Sequence, residues 1–448
     1  MKTTLTNQNE TTIAKLLFYF AIIFLLATTF LLSKGAFAQC LCSSGGYTQS
    51  RFQNTIIAGN VQYTQNASAN YDGTAEQEKM DVWGPVGDNC TKRPVIIWIH
   101  GGGFSQNDKT APDVVAMCDS FSRKGFICAT IDYRDGYWGP SGQAVTQGSQ
   151  NPTPYDTKEF NRADFRAMQD AKCAVRYFKA NASIYGVDTN NIFMGGTSAG
   201  GWTSLMVAFM DKASEKFSDC NVQSSVSGIY TRPDLGNIDG NGGWNSVSSR
   251  LRGIISIFGA LPDTALVDGP NDPAAIFFHE YGDPVVNFYY GVPFQGQYQN
   301  FNSYWGDYYI NMQMQNVGAT HKAFWLNGSQ HSLYPYRGQV TLETSKFLDS
   351  LICTTPTTST NEESNNNFFS VFPNPSAGIF NVQLRNNGNA KVQVYNSIGK
   401  EILSETVNQN KNTINLSDKS NGVYFIKIIP ITIGTEKGLL TEKVLISR

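Results

Sequence analysis

Apolar positions along this chain fall into two rhythms. Pro94–His100 and Phe126–Tyr133 are nearly unbroken apolar runs, the pattern of strands buried on both faces. Val61–Tyr63, Glu78–Trp83, Asn191–Met194, Gly253–Phe258, Ala274–His279 and Lys322–Leu326 supply further strands. Between them lie segments with helical spacing. These are Ala111–Lys124, with Pro112 in its first turn, then Arg162–Asn181, Ala199–Lys212 and Val340–Leu351. Alternating strands and helices predict an α/β fold, a mostly parallel central sheet with helices on both faces. In such sheets chemistry gathers beyond the carboxyl ends of the strands.

The pattern changes at both ends. Lys2 and Lys15 flank the start of an apolar run, Leu16–Leu32, followed by Ala36-Phe37-Ala38. Residues 1–38 are therefore expected to be a signal peptide cut after Ala38. The length of the run also fits an uncleaved membrane anchor, whereas Gln39 before Cys40 disfavours a lipid anchor. Residues 39–353 form the expected α/β domain. Residues 354–367, rich in Thr, Ser, Asn and Glu, read as a flexible linker. Residues 368–448 alternate apolar and polar positions between turn clusters, as in a small β-sandwich.

Composition narrows the function. A net charge of −2 without a basic stripe gives no support for nucleic-acid binding. An apolar fraction of 41% fills a large core. All eight cysteines follow the signal, where export permits oxidation, but their pairing is not readable from spacing. Cys40-x-Cys42 stands too isolated for a zinc knuckle, and no other Cys pair has ligand spacing. Cys128, inside an apolar strand, reads as a buried thiol.

Two glycine-rich turns carry the candidate chemistry. Gly196-Thr197-Ser198-Ala199-Gly200 lies between a strand and a helix, the context of a nucleophile elbow. Such a turn exposes the Ser198 hydroxyl, and side chains at 196 and 200 would collide. Without that geometry the segment would be a plain turn with Ser198 as helix N-cap. His100-Gly101-Gly102-Gly103-Phe104 follows the buried strand Pro94–Ile99. Its unobstructed amides suit an oxyanion hole, with Gly102, Gly103 and Ala199 as donors. No phosphate-loop lysine accompanies these glycines. His100 is expected to orient the loop.

The chain has four histidines, His100, His279, His321 and His331. His331 lies past the last strand, where a base in the order Ser–Asp–His belongs. His321 precedes that strand, and His279 lies in an apolar run, where a satisfied core histidine is the ordinary outcome. Asp283, just beyond the strand Ala274–His279, is the expected orienting acid. Glu280 and Asp263 are its rivals.

These residues bring a family into view. Residues 57–353 resemble α/β-hydrolase-fold carboxylesterases with an H-G-G-G oxyanion loop and a G-x-S-A-G-G elbow. Asp132-Tyr133-Arg134, Asn181-Ala182 and Tyr185-Gly186-Val187-Asp188 are similar to that family too. The resemblance implies two-step acyl transfer through an acyl-enzyme on Ser198, with no metal or organic cofactor expected. Thr197 stands where the hormone-sensitive-lipase branch often has Asp, which leaves the subfamily open. The tail, with Val371-Phe372-Pro373-Asn374-Pro375, Gly422-Val423-Tyr424-Phe425 and Lys443-Val444-Leu445-Ile446, resembles the sorting domain of type IX secretion cargo. That implies an exported, secreted or surface protein that engages the secretion machinery, with no membrane span left after signal cleavage. A carbohydrate-binding or adhesion module is the alternative for a small sandwich.

Weaker signals complete the reading. Phe104 and Trp202 adjoin the two turns, which makes them candidates for substrate contact or for core packing. Trp138, Tyr155, Tyr289, Tyr290, Trp305, Tyr308 and Tyr309 fall in predicted loops, as pocket rim or ordinary packing. Asp234–Gly243 faintly resembles a calcium loop but lacks the closing glutamate, so it reads as a polar turn. Three functions remain open: an ester hydrolase; a peptidase, thioesterase or lactonase with the same triad; and a binding protein on a hydrolase scaffold.

Overall fold

The computed structural model describes residues 41–42, 45–88, 90–353, 369–374, 376–384, 389–396, 400–408, 412–431 and 440–446. The expected signal peptide and linker lie outside them. Chain contacts separate two units, Met1–Thr355 and Pro356–Arg448.

The first unit is built on eight strands: β1 (Gln53–Gln62), β2 (Lys79–Val86), β3 (Arg93–Ile99), β4 (Ile127–Ile131), β5 (Val187–Thr197), β6 (Gly253–Ile257), β7 (Ala274–Glu280) and β8 (His321–Leu326). They pair in the order β1-β2-β4-β3-β5-β6-β7-β8. β1 and β2 are antiparallel to their neighbours, and the rest run parallel. Every residue of β3, β4, β6 and β7 is buried, as their continuous apolar runs require. β1 is longer than its sequence signal, because most of its side chains are exposed at the sheet edge and leave no apolar rhythm.

Five helices matter for the site: α1 (Pro112–Ser122), α2 (Thr157–Ala180), α3 (Ala199–Phe209), α4 (Asp307–Val317) and α5 (Arg337–Cys353). α2 starts earlier than expected because the Asp156 carboxylate caps it, accepting from the Lys158 amide. α3 stops at Phe209 instead of continuing to Lys212, and the Met210 carbonyl accepts the buried Lys172 ammonium at 2.7 Å. α4 was not predicted. It buries only Asp307, Ile310 and Met314, too narrow a stripe to stand out, and Gly318 closes it with φ 76°.

Aliphatic and aromatic residues fill both faces of the sheet, with Met194, Phe165 and Phe178 on one side and Trp98, Phe121 and Ile255 on the other. A disulfide joins Cys42 to Cys353, and Cys90 is disulfide-bonded as well. Cys118, Cys128, Cys173 and Cys220 are buried thiols.

Among its described residues the second unit is all β. Strands β9 (Phe369–Phe372), β10 (Ile379–Leu384) and β13 (Thr413–Asn415) form one antiparallel sheet in the order β9-β10-β13. Strands β11 (Asn389–Asn396), β12 (Glu401–Val407), β14 (Gly422–Ile431) and β15 (Leu440–Ile446) form another, ordered β12-β11-β14-β15. Phe380, Val382, Val392, Val394, Ile414, Ile426 and Val444 make their shared core. No helix among the described residues is long and apolar enough to cross a membrane.

Candidate active site

Four loops at the carboxyl edge of the parallel strands assemble the site: those after β3, β5, β7 and β8. Ser198 occupies the turn between β5 and α3 with φ 58° and ψ −121°, a conformation that L-residues rarely adopt. Two backbone bonds hold it. The Ser198 amide donates to the Ile257 carbonyl at 2.8 Å, and its carbonyl accepts the Trp202 amide at 3.0 Å. A side chain at Gly200 would overlap the Ile99 carbonyl, so only glycine lets the elbow close against β3. α3 begins at Ala199, whose amide, as a first-turn N–H, has no partner within the helix.

The loop after β3 lies against this elbow. His100 is buried and stacks on Tyr133, with ring centroids 4.3 Å apart. Its Nδ1 faces the Gly101 carbonyl at 2.8 Å. A carbonyl only accepts, so that nitrogen carries the proton. Burial lowers the pKa of His100, which keeps it neutral. His100 thus fixes the loop, as expected. Gly102 and Gly103 adopt φ 115° and 62°.

Asp132-Tyr133-Arg134 now has a physical account. Asp132 pairs with Lys109 at 3.1 Å, beyond the glycine loop. The Tyr133 hydroxyl donates to the His100 carbonyl at 3.2 Å. Arg134 grips the Asp170 carboxylate of α2 with its Nε and Nη2 in a buried pair. Three consecutive residues therefore tie the end of β4 to the glycine loop and to α2.

On the other side, His331 Nδ1 lies 2.7 Å from Asp283 Oδ2. Asp283 Oδ1 accepts the amides of Val285 and Val286 at 2.8 and 2.9 Å. Burial alone would raise the pKa of Asp283. The His331 hydrogen bond, with the charges of His331 and His279, overcomes this and holds it below the ordinary carboxylate value. An ionised Asp283 leaves the proton on His331 Nδ1. His331 Nε2 is buried without a hydrogen-bond partner. His331 itself has φ 51°. Glu280 holds that backbone, accepting the amides of Gln330 and His331 through Oε2 at 2.7 and 2.9 Å. Glu280, a rival for the acid, instead positions the histidine loop. Asp263, the other rival, caps a short turn by accepting the Ala265 amide.

A cavity of about 900 Å³ opens over these groups, and Ser198, His331 and Gly101–Gly103 all line it. Phe104 and Trp202 do not. Both are buried beneath the elbow, packed against each other and against Phe160. They are core residues, a correction to the substrate-contact reading. None of Trp138, Tyr155, Tyr289, Tyr290, Trp305, Tyr308 and Tyr309 lines the cavity either. Its aromatic walls are Phe294, Tyr298 and Tyr334, which no local motif marked. Among the described residues no cluster of His, Cys, Asp or Glu forms a metal site. In the Asp234–Gly243 turn, Asp234 pairs with Lys216, and Asp239 accepts the Ser249 hydroxyl.

Comparison with known families agrees with this architecture. Residues 80–137 and 156–259 match the family model BD-FAE, and residues 370–447 match the secretion system C-terminal sorting domain. The chain joins a BD-FAE domain of the α/β-hydrolase type to a type IX sorting domain. The BD-FAE match includes the loop after β3 and the elbow, while Asp283 and His331 lie beyond it. The BD-FAE domain is similar to esterases and lipases. Phenmedipham hydrolase of Pseudarthrobacter oxydans is 28% identical over 151 residues, 34% of this chain and 27% of that protein. Gut esterase 1 of Caenorhabditis elegans is 26% identical over 148 residues, covering 32% and 24%. The chain thus spans about a quarter of the length of these curated relatives. A truncated carbohydrate esterase from gut microbiota aligns with TM-score 0.43 at 17% identity, over 68% of this chain and 99% of that one. The sorting domain marks the chain for export by type IX secretion.

Proposed function

We propose that the protein is a secreted carboxylic-ester hydrolase that works through an acyl-enzyme. Ser198 is the nucleophile, His331 the general base and then acid, and Asp283 the group that orients and charge-stabilises His331. The amides of Gly102, Gly103 and Ala199 receive the negative charge of the tetrahedral intermediate. In the first step the His331 Nε2 lone pair takes the Ser198 hydroxyl proton as Oγ attacks the ester carbonyl. The same proton then goes to the leaving alcohol. Water, activated in the same way, releases the acid and restores Ser198.

The observation that carries this reading is the state of His331. Its Nδ1 is bound by an ionised carboxylate, its Nε2 is without a hydrogen-bond partner, and the residue lines the cavity that Ser198 also lines. That is the tautomer a base requires. The aromatic walls suit an acyl or aryl ester. The organisation proposed with this activity is a signal removed after Ala38, a catalytic domain 39–353, a linker 354–367 and a tail 368–448 that engages the secretion machinery. Fluorophosphonate labelling tests the nucleophile, since it should modify the wild type and spare Ser198→Ala. A panel of p-nitrophenyl esters against aminoacyl amides tests the reaction class. Turnover of amides alone would contradict the ester assignment.

A further inference from the structure

The acid of the proposed triad has a second histidine behind it. His279, on β7, is completely buried, and its Nε2 lies 3.5 Å from Asp283 Oδ2, the oxygen that binds His331. The same Nε2 lies 3.1 Å from the Val286 carbonyl. On the other edge of the ring, Nδ1 lies 3.0 Å from Asp307 Oδ2 at the start of α4. Asp307 is held in turn by the Ser256 hydroxyl at 2.7 Å and the Gly259 amide at 3.0 Å. Phe258 and Phe288 pack on the ring edge to face.

This hydrogen-bond pattern fixes the protonation of His279. Carboxylate and carbonyl oxygens only accept, so each ring nitrogen faces an acceptor and each must carry a proton. A neutral imidazole would point a lone pair at an oxygen at a fully buried position, a costly arrangement. We propose that His279 is a standing imidazolium, held by Asp307, that shares the Asp283 carboxylate with His331 and so acts as a positioning residue for the proposed triad. The inference rests on that triad for its functional consequence, not for the charge itself. Burial works against a charged His279, and the Asp307 hydrogen bond and the charges of Asp307 and Asp283 outweigh it, so its pKa is raised.

The consequence has a definite sign. A cation beside Asp283 Oδ2 draws on the negative charge that would stabilise protonated His331. It therefore weakens the stabilisation of a positive charge on His331, so its loss should move the acidic limb of activity upward. His279 does not line the substrate cavity, so its removal should act on kcat and leave KM nearly untouched.

Two measurements on the full chain separate this idea from the triad reading. Nitrogen-15 NMR of wild-type protein should show His279 with both ring nitrogens protonated between pH 6 and pH 8, whether or not the protein turns over an ester. A neutral ring there overturns the proposal, and this readout survives even if variants at 279 fail to fold. The second measurement is the pH profile of kcat/KM for wild type, His279→Gln and the double variant His279→Gln, Asp307→Asn. Both variants should move the acidic limb upward by about one pH unit, with kcat at neutral pH reduced roughly tenfold and KM unchanged. The double variant also removes the buried Asp307 charge, so the same shift in both traces the effect to the lost cation. Folded variants with the wild-type limb and kcat would reduce His279 to a packing residue. Loss of the triad reading would appear separately, as retained activity in Ser198→Ala.

Discussion

Asp283 and His331 are 48 residues apart in sequence and 2.7 Å apart in space, joined through Oδ2 and Nδ1. The second Asp283 oxygen is occupied by the Val285 and Val286 amides, so the carboxylate cannot rotate away from the imidazole without losing two hydrogen bonds. Asp283→Asn should fold normally and lower kcat about 10³- to 10⁴-fold, because an amide no longer fixes the tautomer or balances the imidazolium. Steady-state kinetics on a p-nitrophenyl ester checks this. A loss below tenfold would remove Asp283 from the proposed triad.

Glu280 acts one step back, on the backbone of the histidine loop. Glu280→Ala leaves the partly buried amides of Gln330 and His331 without their acceptor, at a cost of about 1 kcal/mol. It should lower the melting temperature and reduce kcat roughly 10- to 100-fold by loosening His331. Glu280→Gln retains an acceptor oxygen and should lose much less of both. Equal behaviour of the two variants would contradict the positioning role.

The two glycines of the proposed oxyanion loop should respond differently. A methyl group at Gly102 would overlap the Gln106 carbonyl, whereas the nearest atom to one at Gly103 is the Phe294 ring at 4.0 Å. Both positions have positive φ, so both substitutions strain the backbone. Gly102→Ala should cost at least about 100-fold in kcat by displacing the loop, and Gly103→Ala distinctly less. Kinetics for the pair, with melting temperatures, would show the ranking or its reverse.

How much of this was written locally in the chain depended on the kind of constraint. The elbow and the glycine loop were legible because backbone crowding against β3 demands glycine at fixed spacing after a strand. The central parallel strands were legible because burial on both faces leaves an unbroken apolar run. Edge strand β1 was read only at its end, Val61–Tyr63, and helix α4 not at all, since an exposed strand and a narrow helical stripe carry little pattern. Phe104 and Trp202 were ambiguous because a residue next to a catalytic turn can face either way, and here both fall into the aromatic cluster with Phe160. Asp307 and Glu280 act on histidines 28 and 51 residues away. Only the folded topology brings such partners together.

Asp164, on α2, makes a pH-dependent prediction outside the site. It is buried, its Oδ1 has no hydrogen-bond partner, and burial pushes its pKa up to about 8. The unfolded chain releases that proton near pH 4, as an ordinary carboxyl does. The folded state therefore loses stability steadily as pH rises from about 4 to 8. Asp164→Asn removes this liability. Its melting temperature should exceed that of wild type by several degrees at pH 8 and converge with it near pH 4. A constant difference across the range would contradict the assignment.

The central claim is tested most directly by ester turnover in wild type and in Ser198→Ala, each verified as folded by circular dichroism. The account predicts rapid hydrolysis of a p-nitrophenyl ester by the wild type and a loss of at least about 10³-fold in kcat for the variant. Undiminished hydrolysis by folded Ser198→Ala would contradict it.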